Sequence, residues 1–333
     1  MSSRSDRLPR RLMVGTALLV AALAPACARE KREPPPAATV AAGGATFIDP
    51  KVAERAAMMG PTFVDAVKLP TPHSTWQTEH VLRVCADPNN LPFSNRAGEG
   101  IENRLAEMIA HDIGARVAYT WWPQRRGFVR QTLGHGECDV MLGAPSDYER
   151  LESTTPYYRS TYVFVTRRDR NLRIHSFDDP RLRTLRIGLH AIGDDYSNGP
   201  AAEALAKRGI TGHLVGYSIY GDYSKADPPA ELLRAVARGD VDVAIAWGPL
   251  AGYYARKVNA DLVIDRVTPD SEPPGIRFAY DISAGVRRGD TATRAMLERS
   301  LARHQGDIRK LLLEFGVPLA ERTVAYRTEE AAR

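Results

Sequence analysis

Arg150 carries a guanidinium, a rigid fork of donors that can meet a carboxylate or phosphate. It closes the run Gly143-Ala-Pro-Ser-Asp-Tyr-Glu-Arg150, beside Asp147, Tyr148 and Glu149. Carboxylates next to an arginine are usually a solvated loop, so the cluster is not read as catalytic; Tyr148 and Arg150 are kept as candidate binding residues. A second set is aromatic. Trp121-Trp122-Pro-Gln-Arg-Arg-Gly-Phe128 puts ring faces beside Arg125 and Arg126, and Tyr196, Tyr220, Tyr223 and Trp247 fall in loops or at strand ends. Tyr, Trp and Arg are the residues that anchor interfaces. Asn89, Asn90 and Phe93, in Asp87-Pro-Asn-Asn-Leu-Pro-Phe93, complete the candidate binding residues. The eight histidines are scattered without metal-ligand spacing, and Gly193-Asp-Asp195 is a single acidic pair. No nucleophile elbow, phosphate loop or dinucleotide fingerprint occurs. Neither enzymatic activity, nor a metal, nor a cofactor of its own is expected.

Elements that would position these residues are legible from an internal echo. Gly136-Glu-Cys-Asp139-Val-Met-Leu-Gly-Ala-Pro145 is answered by Gly239-Asp-Val-Asp242-Val-Ala-Ile-Ala-Trp-Gly-Pro249. Each copy follows a helix-like stretch and runs through a glycine turn into a buried parallel strand. Two such units imply two α/β lobes whose loops face a cleft. Strands are expected at Val81–Ala86, Val117–Trp122, Cys138–Leu142 and Tyr162–Thr166, then at Leu185–Leu189, His213–Tyr217 and Val241–Ala246, with Phe278–Val286 crossing back. Helices are expected at Glu99–Ile113, 200–208, 229–238, after Pro249, Thr291–His304 and Ile308–Phe315. Alternation of this kind gives parallel sheets with right-handed crossovers, and ligands lie beyond the carboxyl ends of their strands.

The chain begins as an exported protein does. Basic residues through Arg10-Arg11 lead into the apolar run Leu12–Leu23 and the small-residue sites around Ala26. Residues 1–26 are read as a signal peptide. Cys27 sits where a lipoprotein cysteine would and is a candidate for lipidation, although Pro25 is unusual there; a lipid anchor would be the sole membrane contact. Residues 27–80 read as a charged, then Pro/Ala/Gly-rich linker and an irregular segment holding one short helix, Val52–Met59. The first part of one lobe is expected over 81–180, the second lobe over 181–277, and the return crossing with the C-terminal helices over 278–333. The formal net charge of +5 falls to +2 once residues 1–26 are set aside. That excludes an electrostatic case for nucleic acid. In an oxidising compartment Cys85 and Cys138 are candidates for a disulfide. Their places on neighbouring parallel strands leave two buried thiols as the alternative.

From Val81 to about Leu319 the order of elements resembles the periplasmic solute-binding proteins of type II, with two lobes and two hinge crossings. Amino-acid-binding members carry Gly-x-Thr-x-Thr-x-x-Arg, whose arginine clamps the ligand carboxylate. Here Gly143 to Arg150 keeps the spacing and the arginine but has Pro145 for a threonine. The aspartate that holds the α-ammonium in Asp-x-x-x-x-Asp-x-Pro is replaced by Trp247 in Asp242-Val-Ala-Ile-Ala-Trp-Gly-Pro249, so an amino acid is not the expected ligand. Longer stretches are more specific: Leu82–Asn95, Gly98-Glu-Gly100 with Glu102-Asn103, Tyr119–Phe128, Pro156–Phe164, Tyr220-Gly-Asp-Tyr223 and Trp247–Tyr254. Together they resemble the binding-protein homologues associated with quinoprotein methanol dehydrogenases, the MxaJ/XoxJ group, nearer XoxJ. The resemblance implies a periplasmic accessory protein that binds a PQQ-dependent methanol or alcohol dehydrogenase of the lanthanide type, or assists its maturation, through an aromatic inter-lobe cleft. The dehydrogenase's cytochrome c is a second candidate partner. Two alternatives stand beside it: an ABC-transporter receptor for a small organic solute, and an enzyme like cyclohexadienyl dehydratase, for which Arg150 would be the clamp and no acid is identified.

Overall fold

The computed structural model describes residues 75–191, 199–218, 227–258 and 260–321. The signal, Cys27, the linker and its short helix lie outside them, as do Tyr196, Tyr220 and Tyr223. The longer elements are β1 (Val81–Ala86), α1 (Ile101–Asp112), β2 (Arg116–Trp121), α2 (Phe128–Gln131), β3 (Val140–Pro145) and β4 (Tyr158–Arg167). They continue with β5 (Ile187–Ala191), α3 (Pro200–Lys207), β6 (Leu214–Ser218), α4 (Glu231–Arg238), β7 (Val243–Trp247) and α5 (Gly248–Ala255). The last are β8 (Leu262–Arg266), β9 (Ala279–Val286), α6 (Thr291–Arg303) and α7 (Gln305–Glu314).

Two sheets share one strand. In the first lobe the order is β2-β1-β3-β9, with β1 parallel to both β2 and β3 and β9 antiparallel to β3. In the second it is β8-β4-β7-β5-β6, with β5 parallel to β7 and β6. Strand β4 belongs to both: Tyr158–Thr161 pair with β9, and Tyr162–Thr166 pair with β7. The chain therefore changes lobe at Thr161–Tyr162, earlier than the division expected after residue 180. It returns along β9, which is antiparallel to β4 at the crossing.

The echo occupies equivalent places. Strand β3 lies between parallel β1 and antiparallel β9, and β7 lies between parallel β5 and antiparallel β4. Gly136 and Gly239 lead into them with φ of +75° and +79°, a backbone conformation that favours glycine. Strands covered on both faces need apolar residues at every position. Phe164, Val243 and Ile245 enter one core while Val163, Val165, Ala244 and Ala246 enter the other. Helices α6 and α7 add Leu297, Leu301, Ile308 and Leu312 to the first-lobe core of Leu82, Val84, Leu105, Ile109 and Leu142. Strand β8 is absent from the sequence expectation because Asp265, 7% exposed, interrupts its apolar pattern; Arg173 answers the carboxylate at 3.5 Å.

Cys85 and Cys138 are joined by a disulfide with Cα atoms 5.4 Å apart. The parallel register sets Cys85 against Met141. Cys138 lies before β3, in the segment leading into it, and is not held to that register.

Candidate functional site

A cavity of about 230 Å³ lies between the lobes, beyond the carboxyl ends of the parallel strands. The first lobe supplies Asn90 and Phe93 from the loop after β1, Glu102 from α1, Gln124, and Gly143 from β3. The second supplies Leu189 and His190 from β5, Ile245 and Trp247 from β7, and the start of α3. Tyr158 and Tyr162 come from the shared strand itself, so an occupant would touch the crossing. Trp247 is packed against aromatic rings of the crossing strands, 5.6 Å from Tyr162 and 5.7 Å edge-on from Tyr280 between centroids.

Glu102 is the residue that the sequence reading missed. It is 6% exposed and lines the cavity; its backbone N–H donates to the Phe93 carbonyl at 2.8 Å, while its carboxyl makes no hydrogen bond or ion pair among the described residues. Helix α1 buries Leu105, Ala106 and Ile109, and Glu102 stands on that same face at i−3, i−4 and i−7 from them. A charged residue on the apolar face was the available signal. Gly143 makes room for it: a Cβ there would collide with Oε1 of Glu102. Burial, with the Asp87 charge adding to it, pushes the carboxyl up to about 8. Across the cavity, His190 Nε2 donates to the Pro229 carbonyl at 3.2 Å. Burial pulls the imidazole down to about 4, and it is neutral at pH 7.

Of the expected site residues, Asn90, Phe93 and Trp247 line this cavity. Asn90 Nδ2 donates to Gln124 Oε1 at 2.9 Å, and the Gln124 backbone N–H donates to Asp87 Oδ2 at 2.6 Å. Asn89 does not line it; its backbone N–H caps Asp87 at 2.8 Å. Arg125, Arg126, Tyr148 and Arg150 line a different groove of about 640 Å³ on the first lobe, with Phe128, Arg130 and Met141. Arg150 therefore does not face the cavity as a clamp. Beyond Pro145 the backbone turns twice, Tyr148 N–H donating to Pro145 and Leu151 N–H to Tyr148, and Arg150 ends exposed. The motif spacing is kept while the loop it came from is not. Trp122 is outside both sets of lining residues and is 39% exposed, as is Tyr148. Gln124 lines both cavity and groove. Among the described residues no group of His, Cys, Asp or Glu is placed to hold a metal ion.

Two α/β sheets joined by two antiparallel crossings, with the cavity at the strand ends between them, define a periplasmic binding protein of type II. The chain is 33% identical over 248 residues to Protein MoxJ of Methylorubrum extorquens, covering 72% of this chain and 81% of that one. It is 30% identical over 256 residues to Protein MoxJ of Paracoccus denitrificans, covering 72% and 88%. The chain belongs to the MoxJ family. The crystal structure of the periplasmic binding protein XoxJ from Methylobacterium extorquens AM1 matches at 32% identity and a TM-score of 0.59, over 72% of this chain and 100% of that one. MxaJ from Methlophaga aminisulfidivorans matches at 25% identity and 0.62, with the same coverage. An ancestral cationic amino acid solute binding protein, 18% identical with a TM-score of 0.56 over 73% of this chain and 98% of that one, shares the fold. No family model matches the chain.

Proposed function

We propose that the protein is a periplasmic accessory component of methanol oxidation that binds a PQQ-dependent dehydrogenase of the lanthanide type or assists its maturation. The family and the sequence resemblance support this reading, and one structural observation carries it to a surface. Arg125, Arg130 and Arg150 share the first-lobe groove with Tyr148, and none of the three makes an ion pair among the described residues. Unpaired arginines beside exposed rings are the composition of a docking surface, and they suit a partner presenting carboxylates. The inter-lobe cavity, by contrast, is sized for a small molecule. We therefore move the protein contact from the cleft, where the sequence reading put it, to this groove at its edge.

A periplasmic pull-down with the full-length protein tests the reading. A quinoprotein dehydrogenase should be enriched, and a deletion strain should grow poorly on methanol. Normal growth with no dehydrogenase captured would refute it. A second reading, a transport receptor for a small organic solute, draws on the small inter-lobe cavity; it requires a permease partner in the same pull-down. The dehydratase-like reading has less support, because its clamp candidate Arg150 lines the first-lobe groove and not the inter-lobe cavity.

A further inference from the structure

A buried carboxyl without a partner costs several kcal/mol when ionised, and the Glu102 side chain is such a group in the wall of the inter-lobe cavity. Nothing in the fold's packing requires an acid there, since an amide or a methionine would fill the same place on α1. What the acid adds is a charge that a guest can call out. Trp247, Tyr158 and Tyr162 line the same cavity, and aromatic rings attract cations. Among the described residues, the cavity lining holds no lysine or arginine that would answer the carboxylate from the protein's side.

We propose that the inter-lobe cavity binds a small organic ammonium ion, its N–H groups on the Glu102 carboxylate and its alkyl portion against Trp247, Tyr158 and Tyr162. The site differs from the amino-acid arrangement in two respects. The carboxyl comes from the first lobe, where the second lobe's strand end has Trp247, and the arginine that would take a ligand carboxylate faces another groove. The guest is thus a mono-cation without an acid group. Among the described residues, the titratable groups around Glu102 are Asp87 after β1, Tyr119 of β2, Tyr157 and Tyr158 at the crossing, and His190 on β5 across the cavity. Tyr119, Tyr157 and Tyr158 are all held above the ordinary phenol range, chiefly by burial, and stay neutral. Glu102 is then the group that changes protonation between pH 6 and 8. When the cation enters, the Glu102 proton leaves to solvent and the pair forms in its place.

The test titrates the full protein with n-butylammonium chloride, and separately with n-butanol, by calorimetry and tryptophan fluorescence between pH 6 and 9. The ammonium ion should bind at least about tenfold tighter than the alcohol. Near pH 6.5 it should release about one proton, read from two buffers of different ionisation enthalpy. Affinity should rise about tenfold per pH unit up to pH 8 and then level off. Glu102→Gln, close in shape to the protonated acid, should lose at least about tenfold in affinity together with the proton release. Trp247→Leu should weaken binding and keep the proton release. Melting curves check that both variants fold, and the proton count on the unaltered protein decides if either does not. Equal or tighter binding of n-butanol, unchanged binding by Glu102→Gln, or no binding of n-butylammonium would overturn the proposal. Failure here would leave the dehydrogenase reading intact, since that rests on the other groove.

Discussion

Arg83 holds Asp139 with two prongs, Nε to Oδ2 at 2.9 Å and Nη2 to Oδ1 at 2.7 Å, while its Nη1 reaches the Gly136 carbonyl at 2.9 Å. The second lobe repeats the device with Arg186 on Asp242, at 3.2 Å and 3.3 Å, and on the Gly239 carbonyl at 2.7 Å. Each aspartate also receives an arginine from just after a crossing strand, Arg287 in the first lobe and Arg170 in the second. The two lobes are thus alike in their ion pairs as well as their strands. Their surroundings differ: Asp139 is 1% exposed and Asp242 11% at the side chain. Removing one partner of a buried pair leaves the other uncompensated. Asp139→Ala should cost about 3–5 kcal/mol, and Asp242→Ala, whose arginines are about half exposed, about 1 kcal/mol or less. Urea denaturation would check the order, and equal losses would contradict it.

Glu102 should make stability fall with pH. Its folded value near 8 lies above the ordinary 4.5. Between those limits the folded chain holds a proton that the unfolded chain has released, so this group's contribution is full below the lower value and declines towards the upper one. The slope is at most about 1.4 kcal/mol per pH unit. Glu102→Gln should flatten it, so the variant should gain on the parent between pH 5 and 8 in thermal melts. Parallel curves would show that the carboxyl titrates as if exposed.

The Cys85–Cys138 bond closes a loop over a sequence separation of 53 residues and is buried at both ends. Its loss should destabilise the protein by about 3 kcal/mol. A Cys85→Ala/Cys138→Ala double variant and the parent in reductant should show similar lowered urea midpoints. An unchanged midpoint would mean that the bond does not form.

Replacing Arg125 and Arg150 with glutamate should abolish capture of the dehydrogenase without lowering the melting temperature, because neither side chain makes an ion pair among the described residues. Capture by the parent should weaken as salt rises from 50 to 300 mM, as contacts between exposed charges do. Retained capture by the double variant would place the docking surface elsewhere.

The sequence carried the architecture well because its strands are buried on both faces and its helices have one apolar face. Both patterns survive without tertiary information, and the echo placed β3 and β7 correctly. Asp265 hid β8, since one paired carboxylate interrupts the apolar alternation. The site was less legible. Asn90, Phe93 and Trp247 line the cavity because the ends of the parallel strands and the loops after them converge there. Arg150 was misplaced because motif spacing does not report the turns after Pro145. Glu102 escaped notice because a charged residue near a helix start is ordinarily a favourable first-turn acid, and only its burial shows otherwise.

Gln124 forms part of two walls, one towards the cavity and one towards the arginine groove. A molecule lodged inside and a macromolecule resting outside would both meet this one residue, itself tethered to Asn90 and Asp87. Thermodynamic reciprocity then sets a strict condition on traffic through this partition. Whatever factor the inner visitor imposes on the outer one's affinity, the outer visitor must return in equal measure.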